Sequence, residues 1–181
     1  AEARADLGWD DRPTLLTAAR LHPWKGIDYL ITAMAAMPEV RLVVAGDGPD
    51  FGRLQNLARP LGERVRFAGY LPRRDIHRLM AAADGLVLYS AYEGLSHTLL
   101  ESLRLGTPVL ASDKGGNPEL VRHGVNGLLV PYADIAALRR GLRQLLDQRD
   151  ELAANAGVGL ERFTFQSMVQ RTDALLRSFL R

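Results

Sequence analysis

The sequence predicts an α/β fold, a doubly wound parallel sheet of about six strands. Three observations carry that prediction. Short apolar runs alternate with amphipathic stretches from end to end. Most of the apolar runs are continuous, as strands covered on both faces require. A chain of 181 residues, 47% of them hydrophobic, can build one full core, so 1–181 is read as a single domain.

Residues 1–13 read as a short polar helix and a turn. The strand candidates are 14–18, 41–45, 65–68, 85–89, 108–111 and 127–130, and the helix candidates are 26–37, 50–61, 72–83, 96–105 and 134–146. Pro72 suits a first helical turn, where its missing N–H costs little. Within 134–146, Ile135, Leu138, Leu142, Leu145 and Leu146 share one face, with Asp134 as the cap. A last helix, roughly 165–180, carries a stripe of Phe165, Met168, Val169, Thr172, Leu175, Leu176 and Phe179, capped by Thr164. Ligands of doubly wound sheets bind beyond the carboxyl ends of the strands, so the loops there are expected to carry function.

Composition excludes several classes. The formal net charge is only +2 and no basic run is interleaved with aromatics, so no nucleic-acid partner is expected. The absence of cysteine excludes disulfides and thiolate metal sites and fits a reducing compartment. No signal-peptide pattern and no bilayer-length apolar run occurs, which leads to an expected cytoplasmic location. Arg-rich helices leave peripheral contact with the membrane inner face open.

Gly46-Asp47-Gly48-Pro49-Asp50-Phe51-Gly52 follows a strand and opens a helix, like a relaxed dinucleotide fingerprint. It follows the second strand rather than the first, Pro49 removes an N–H, and no acid at Ala68-Gly69 is available to hold a ribose. The better reading is a tight turn into a capped helix, still on the carboxyl edge and close to any nucleotide there. A flavin or nicotinamide site is disfavoured.

The first strand ends in Arg20-Leu21-His22-Pro23-Trp24-Lys25-Gly26. Arg20 and Lys25 flank a helix start, and a diphosphate is held by planar Arg donors, a Lys point charge and free helix N–H groups. Two solvated surface cations would look the same. The fourth strand leads into Ser90-Ala91-Tyr92-Glu93-Gly94-Leu95-Ser96-His97-Thr98-Leu99-Leu100-Glu101. Ser96 is a natural cap, and Leu99, Leu100 and Leu103 face the core. Glu101 then lies about a turn into the helix, off that apolar face. Carboxylates such as Glu93 and Glu101 match vicinal diols of a ribose or hexose, although acids near a helix start also occur without a ligand.

These segments resemble the retaining glycosyltransferases of family 4, which have the GT-B fold. Glu93 through Glu101 is similar to their Glu-x7-Glu motif, and Arg20 through Gly26 to their phosphate-binding segment. Ala45-Gly46-Asp47-Gly48-Pro49, Val65-Arg66-Phe67-Ala68-Gly69-Tyr70-Leu71-Pro72, Glu101-Ser102-Leu103-Arg104-Leu105-Gly106-Thr107-Pro108-Val109, Gly115-Gly116-Asn117-Pro118-Glu119 and Asn126-Gly127-Leu128-Leu129-Val130 follow in the family's order. The resemblance runs from about residue 12 to 131. It implies a Rossmann-like C-terminal half of a GT-B enzyme that transfers a hexosyl group from a UDP-, GDP- or ADP-sugar.

By the same resemblance, Arg20, Lys25 and Glu93 are the catalytic residues, the cations on the diphosphate and Glu93 on the transferred sugar. Glu101 takes the ribose hydroxyls. The backbone of Gly94, Leu95, Ser96, His97 and Thr98 faces sugar or phosphate, Tyr70 and Leu71 flank the base, and Gly46 and Gly48 lie close by. Leu95-Ser96 replaces the aromatic-Gly pair of many members, and His97 stands where small or amide residues are frequent, which bears on sugar preference. No Asp-x-Asp triplet occurs. No metal and no cofactor beyond the nucleotide-sugar substrate is implied. The resemblance also implies a partner N-terminal acceptor domain, with 1–13 as an interdomain linker remnant and 164–181 as a helix facing that domain. The alternatives are a non-catalytic nucleotide-sugar-binding module, a subunit completed by another chain, or a different GT-B protein such as a phosphorylase-like or epimerase-like one.

Overall fold

The two periodicities of the sequence resolve into one sheet with helices on both faces. A computed structural model describes residues 2–179. In chain order the elements are α1 (Glu2–Asp6), β1 (Thr14–Ala18), a 3-10 turn (Pro23–Lys25), α2 (Ile27–Met34), β2 (Arg41–Ala45), α3 (Phe51–Ala58), a 3-10 stretch (Arg59–Arg64), β3 (Val65–Gly69), α4 (Arg73–Ala82), β4 (Gly85–Leu88), α5 (His97–Arg104), β5 (Val109–Ser112), α6 (Asn117–Leu120), β6 (Gly127–Val130), α7 (Ile135–Asp147), α8 (Arg149–Ala154), a 3-10 turn (Glu161–Phe163) and α9 (Phe165–Phe179).

The six strands are all parallel, in the order β3-β2-β1-β4-β5-β6. Strand order reverses between β1 and β4, so their carboxyl ends open the crevice where such sheets take ligands. Successive strand residues point to opposite faces. Leu15, Leu42, Val44 and Val87 pack with α2, α3 and α7, whereas Leu16, Val43, Leu86 and Leu88 pack with α4 and α5. Both faces are therefore apolar, and four central strands are wholly buried. Edge strand β3 is covered on one face only and alternates.

The strands fall within one residue of their expected positions. Val109 rather than Pro108 begins β5, because Pro108 has no N–H for the ladder, although its carbonyl accepts from Leu86 N at 2.9 Å. Helix ends are set by glycine and proline. The expected helix 26–37 runs from Ile27 to Met34, with Gly26 at φ 64° setting it off from the 3-10 turn before it, and 50–61 changes to 3-10 geometry at Arg59, just before Pro60. Asp50 stands at the start of α3 without capping it. Its carboxylate goes to Arg53, at 2.6 Å from each of two guanidinium nitrogens, which holds it below the usual carboxylate range. Ser96, Asp134 and Thr164 do cap, accepting from Leu99 N, Ala137 N and Ser167 N at 3.3, 2.8 and 3.1 Å. The apolar stripe of α9 is exposed along its length, Phe165 and Phe179 most of all. The expected last residues of that helix, 180–181, lie outside the described residues, as does Ala1.

Gly26 fixes how closely the two central strand exits approach. A Cβ there would sit 2.0 Å from the Tyr89 carbonyl oxygen, and its φ lies in the left-handed region. Gly26→Ala is expected to cost about 2 kcal/mol or more, from backbone strain plus that overlap. The predicted readout is a fall in Tm of about 4–8 °C by calorimetry.

Candidate functional site

Each site residue follows from a strand exit. After β1 the chain makes the 3-10 turn Pro23–Lys25, and Trp24 O accepts from Ala91 N at 2.7 Å. The loop after β1 is thus hydrogen-bonded to the loop after β4. Lys25 Nζ pairs with Glu93 Oε1, both side chains largely buried. Ser90 Oγ donates to the same oxygen at 2.7 Å. From the other side, Gly116 N donates to Glu93 O at 2.9 Å. A Cβ at Gly115 or Gly116 would strike the backbone of Glu93 or Gly94 at 2.0 and 2.5 Å. Glu93 is therefore held by three segments, two of them far away in the sequence.

The glycine loop after β2 closes against β1. A Cβ on Gly46 would lie 1.9 Å from Ala19 O, and one on Gly48 would lie 2.3 Å from Leu21 O. Leu21 N donates to Asp47 O at 2.9 Å, and Asp50 N to Leu21 O at 3.1 Å. These glycines serve a close approach of two loops, as the tight-turn reading expects.

A cleft of about 630 Å³ opens on this edge, and its walls include Arg20, Gly46, Gly48, Tyr70, Leu71 and Glu101. Thr98 and Arg73 also line it. Arg20 and Tyr70 are exposed there. The cleft thus gathers residues from the exits of β1, β2, β3 and β4, with cations, one glycine loop and a carboxylate on its walls. Leu95 and His97 line a different groove of about 450 Å³, beside α9. The α5 geometry explains the split. Thr98 and Glu101 share one face of the helix and His97 and Leu100 share another. The side chain of His97 is therefore outside the main cleft, as is that of Leu95 in the loop before the helix. Gly94 is exposed, and Ser96 is buried with its hydroxyl used in the cap.

Glu101 is not free in this structure. Arg73 Nη2 lies 2.6 Å from Oε1 and His77 Nε2 lies 3.0 Å from Oε2. Sequence reasoning missed Arg73, His77 and Ser90. The four-residue spacing of Arg73 and His77 marks a shared helix face, but nothing local names the acid that they meet. Among the described residues, no cluster of three His, Asp or Glu side chains is placed to hold a metal ion. Among them also, no helix is long and apolar enough to cross a membrane.

A cation-lined cleft beside two anchored carboxylates, at the switch point of a 3-2-1-4-5-6 sheet, matches known proteins over nearly the whole chain. The profile of the family described as Glycosyl transferases group 1 matches residues 1–158. The chain belongs to that family. It corresponds to the C-terminal nucleotide-sugar-binding domain of GT-B glycosyltransferases. The alpha-D-kanosaminyltransferase of Streptomyces kanamyceticus is 33% identical over 165 residues, covering 86% of this chain and 43% of the relative. The GDP-mannose-dependent alpha-(1-6)-phosphatidylinositol monomannoside mannosyltransferase of Mycobacterium tuberculosis is 32% identical, covering 100% of this chain and 50% of the relative. The crystal structure of Anabaena HepE in complex with UDP superposes with a TM-score of 0.87 at 32% identity, covering 98% of this chain and 52% of that one. The chain spans about half the length of the curated relatives it matches.

Lys25 and Glu93 should be energetically coupled. Lys25→Met leaves a largely buried carboxylate with Ser90 alone and is expected to cost about 1–3 kcal/mol. Lys25→Met with Glu93→Gln should cost less than the two singles added, by about 1–2 kcal/mol in a double-mutant cycle of urea melts. Additive losses would show that the pair is not coupled.

Proposed function

We propose that this chain is the donor half of a retaining glycosyltransferase that moves a hexosyl group from a nucleoside-diphosphate sugar to a glycan, lipid or small-molecule acceptor. The single observation that carries the reading is the joining of the β1 and β4 exits, where Lys25 pairs with Glu93, on the sheet edge where a cleft carries Arg20 and Glu101 on its walls. Relatives support the donor class. HepE was crystallised with UDP-glucose, and the mycobacterial mannosyltransferase is named for GDP-mannose.

In this reading Arg20 and Lys25 hold the diphosphate and stabilise the negative charge that develops on it as the glycosidic bond opens. The leaving phosphate accepts the acceptor's proton on the front face of the sugar. Glu93 orients the transferred sugar by accepting from its hydroxyls. Its Oε1 already meets Lys25 and Ser90, which fixes the side chain for that task. Glu101 takes the ribose, and Tyr70 and Leu71 flank the base. No divalent ion enters this scheme.

The acceptor side belongs to an N-terminal domain of the same enzyme. The exposed apolar stripe of α9 is the surface that this domain covers, with residues 1–13 as the linker to it. The chain alone then binds the donor but does not transfer. Measurable transfer by the purified chain would contradict this division of labour. A gene of about 350–400 residues supports the two-domain enzyme over a stand-alone binding module or a subunit completed by another chain.

Arg20→Ala should weaken nucleoside-diphosphate binding roughly ten- to a hundredfold, the loss expected for charge-assisted hydrogen bonds. Glu93→Gln should leave diphosphate affinity within about threefold, because its partner is the sugar. Calorimetric titration of both variants measures this. In the two-domain enzyme, a covalent sugar adduct on Glu93 found by mass spectrometry would replace the ligand role with a nucleophilic one.

A further inference from the structure

Glu101 stands on α5 and meets two donors from the neighbouring helix α4. Arg73 and His77 are four residues apart, so both project from the same side of α4. Arg73 takes Oε1 and His77 takes Oε2. The two donors differ in how firmly they are held. The Arg73 side chain is 75% exposed and lines the cleft, whereas His77 is 34% exposed and Glu101 21%. A carboxylate only accepts, so His77 Nε2 carries the proton in this contact.

Lone-pair accounting makes the pairing compatible with a ligand. A carboxylate offers about four acceptor sites, two on each oxygen. The α4 donors take one on each, which leaves one on each for a further donor. A glutamate without such a partner has three torsions to fix when the ligand arrives. A short, partly buried imidazole that holds Oε2 removes much of that freedom beforehand. A long exposed arginine on Oε1 does the opposite. It occupies the cleft side of the carboxylate and is free to swing away.

We propose that His77 is a positioning residue that holds Glu101 for a ribose diol, while Arg73 is a yielding occupant that leaves Oε1 when the nucleotide enters. The proposal rests on the reading of Glu101 as the ribose ligand. It places a donor-affinity determinant on α4, outside the strand-exit loops that carry the other contacts.

The test compares ligands that differ only in the ribose. The chain is titrated calorimetrically with UDP, GDP and ADP, and the tightest of them is then compared with its 2′,3′-dideoxy analogue. His77→Ala should weaken the ribonucleotide about five- to tenfold, the range of one net intramolecular hydrogen bond, and the dideoxy analogue less than about twofold. His77→Gln, whose amide N–H reaches the same oxygen, should keep most of the affinity. His77→Asn, too short to reach it, should behave like His77→Ala and keeps the test valid if the alanine variant folds poorly. Arg73→Ala should leave ribonucleotide affinity within about twofold or tighten it.

Equal losses on both ligands in His77→Ala would make the histidine merely structural and overturn the proposal. A tenfold loss in Arg73→Ala would make that arginine a ligand rather than a yielding occupant. A wild-type chain that binds ribo and dideoxy forms equally would remove the ribose role of Glu101, and the proposal with it, while leaving the diphosphate site standing. A folded chain that binds none of the three diphosphates would overturn the donor reading itself.

Discussion

The ion pair between Lys25 and Glu93 joins two strand exits that are 68 residues apart in sequence. It forms because the parallel sheet puts β1 beside β4, and because nothing larger than glycine stands between their loops at Gly26, while Gly115 and Gly116 let the loop after β5 close on the Glu93 backbone. Two largely buried charges stay together only if each satisfies the other and the remaining lone pairs find donors. Ser90 supplies one such donor. The carboxylate that faces the sugar in the proposed chemistry is therefore fixed before any ligand arrives, and the cation beside it is held at the start of α2.

The remainder of the site is arranged around this joint. Each loop on the carboxyl edge is pressed against its neighbour by backbone contacts that exclude a Cβ, at Gly46 and Gly48 against β1 and at Gly115 and Gly116 against the Glu93 loop. Stability and function share these contacts, since a change that loosens the packing also moves a charged group. The sheet supplies rigidity through two apolar faces. The edge carries the charged groups, exposed Arg20 and partly buried Glu101. The exposed stripe of α9 adds a second kind of surface, apolar and unpaired within the chain.

Much of the fold was legible because strands buried on both faces leave continuous apolar runs, and every one of the six was found in place. Helix ends were less so. The start of α2 after Gly26 goes with a close approach to the Tyr89 carbonyl just beyond β4, and the 3-10 stretch at Arg59 with Pro60 rather than with any loss of periodicity. The short helices α6 and α8 have too few residues for a periodic signal. The placement of Arg20, Lys25, Glu93 and Glu101 after the first and fourth strands was legible from the apolar runs, whereas the roles expected of them came from the family resemblance. Arg73 and His77 were not legible, because their meaning lies in a contact between two helices, and the local bond from Ser90 to Glu93 depends on the turn of the loop that joins them. The separation of His97 from the cleft comes from the rotation of successive residues around α5, which a loop reading of that segment does not include.

The central claim is that a nucleoside diphosphate binds in the carboxyl-edge cleft and nowhere else on the chain. Backbone amide signals followed by NMR during titration with UDP, GDP and ADP test it most directly. The account predicts that at least one diphosphate shifts amides in 20–26, 46–48, 70–71 and 93–101 together, and leaves those of the opposite sheet edge unmoved. Shifts confined to the α9 groove, or a folded chain with no response to any of the three, would contradict it.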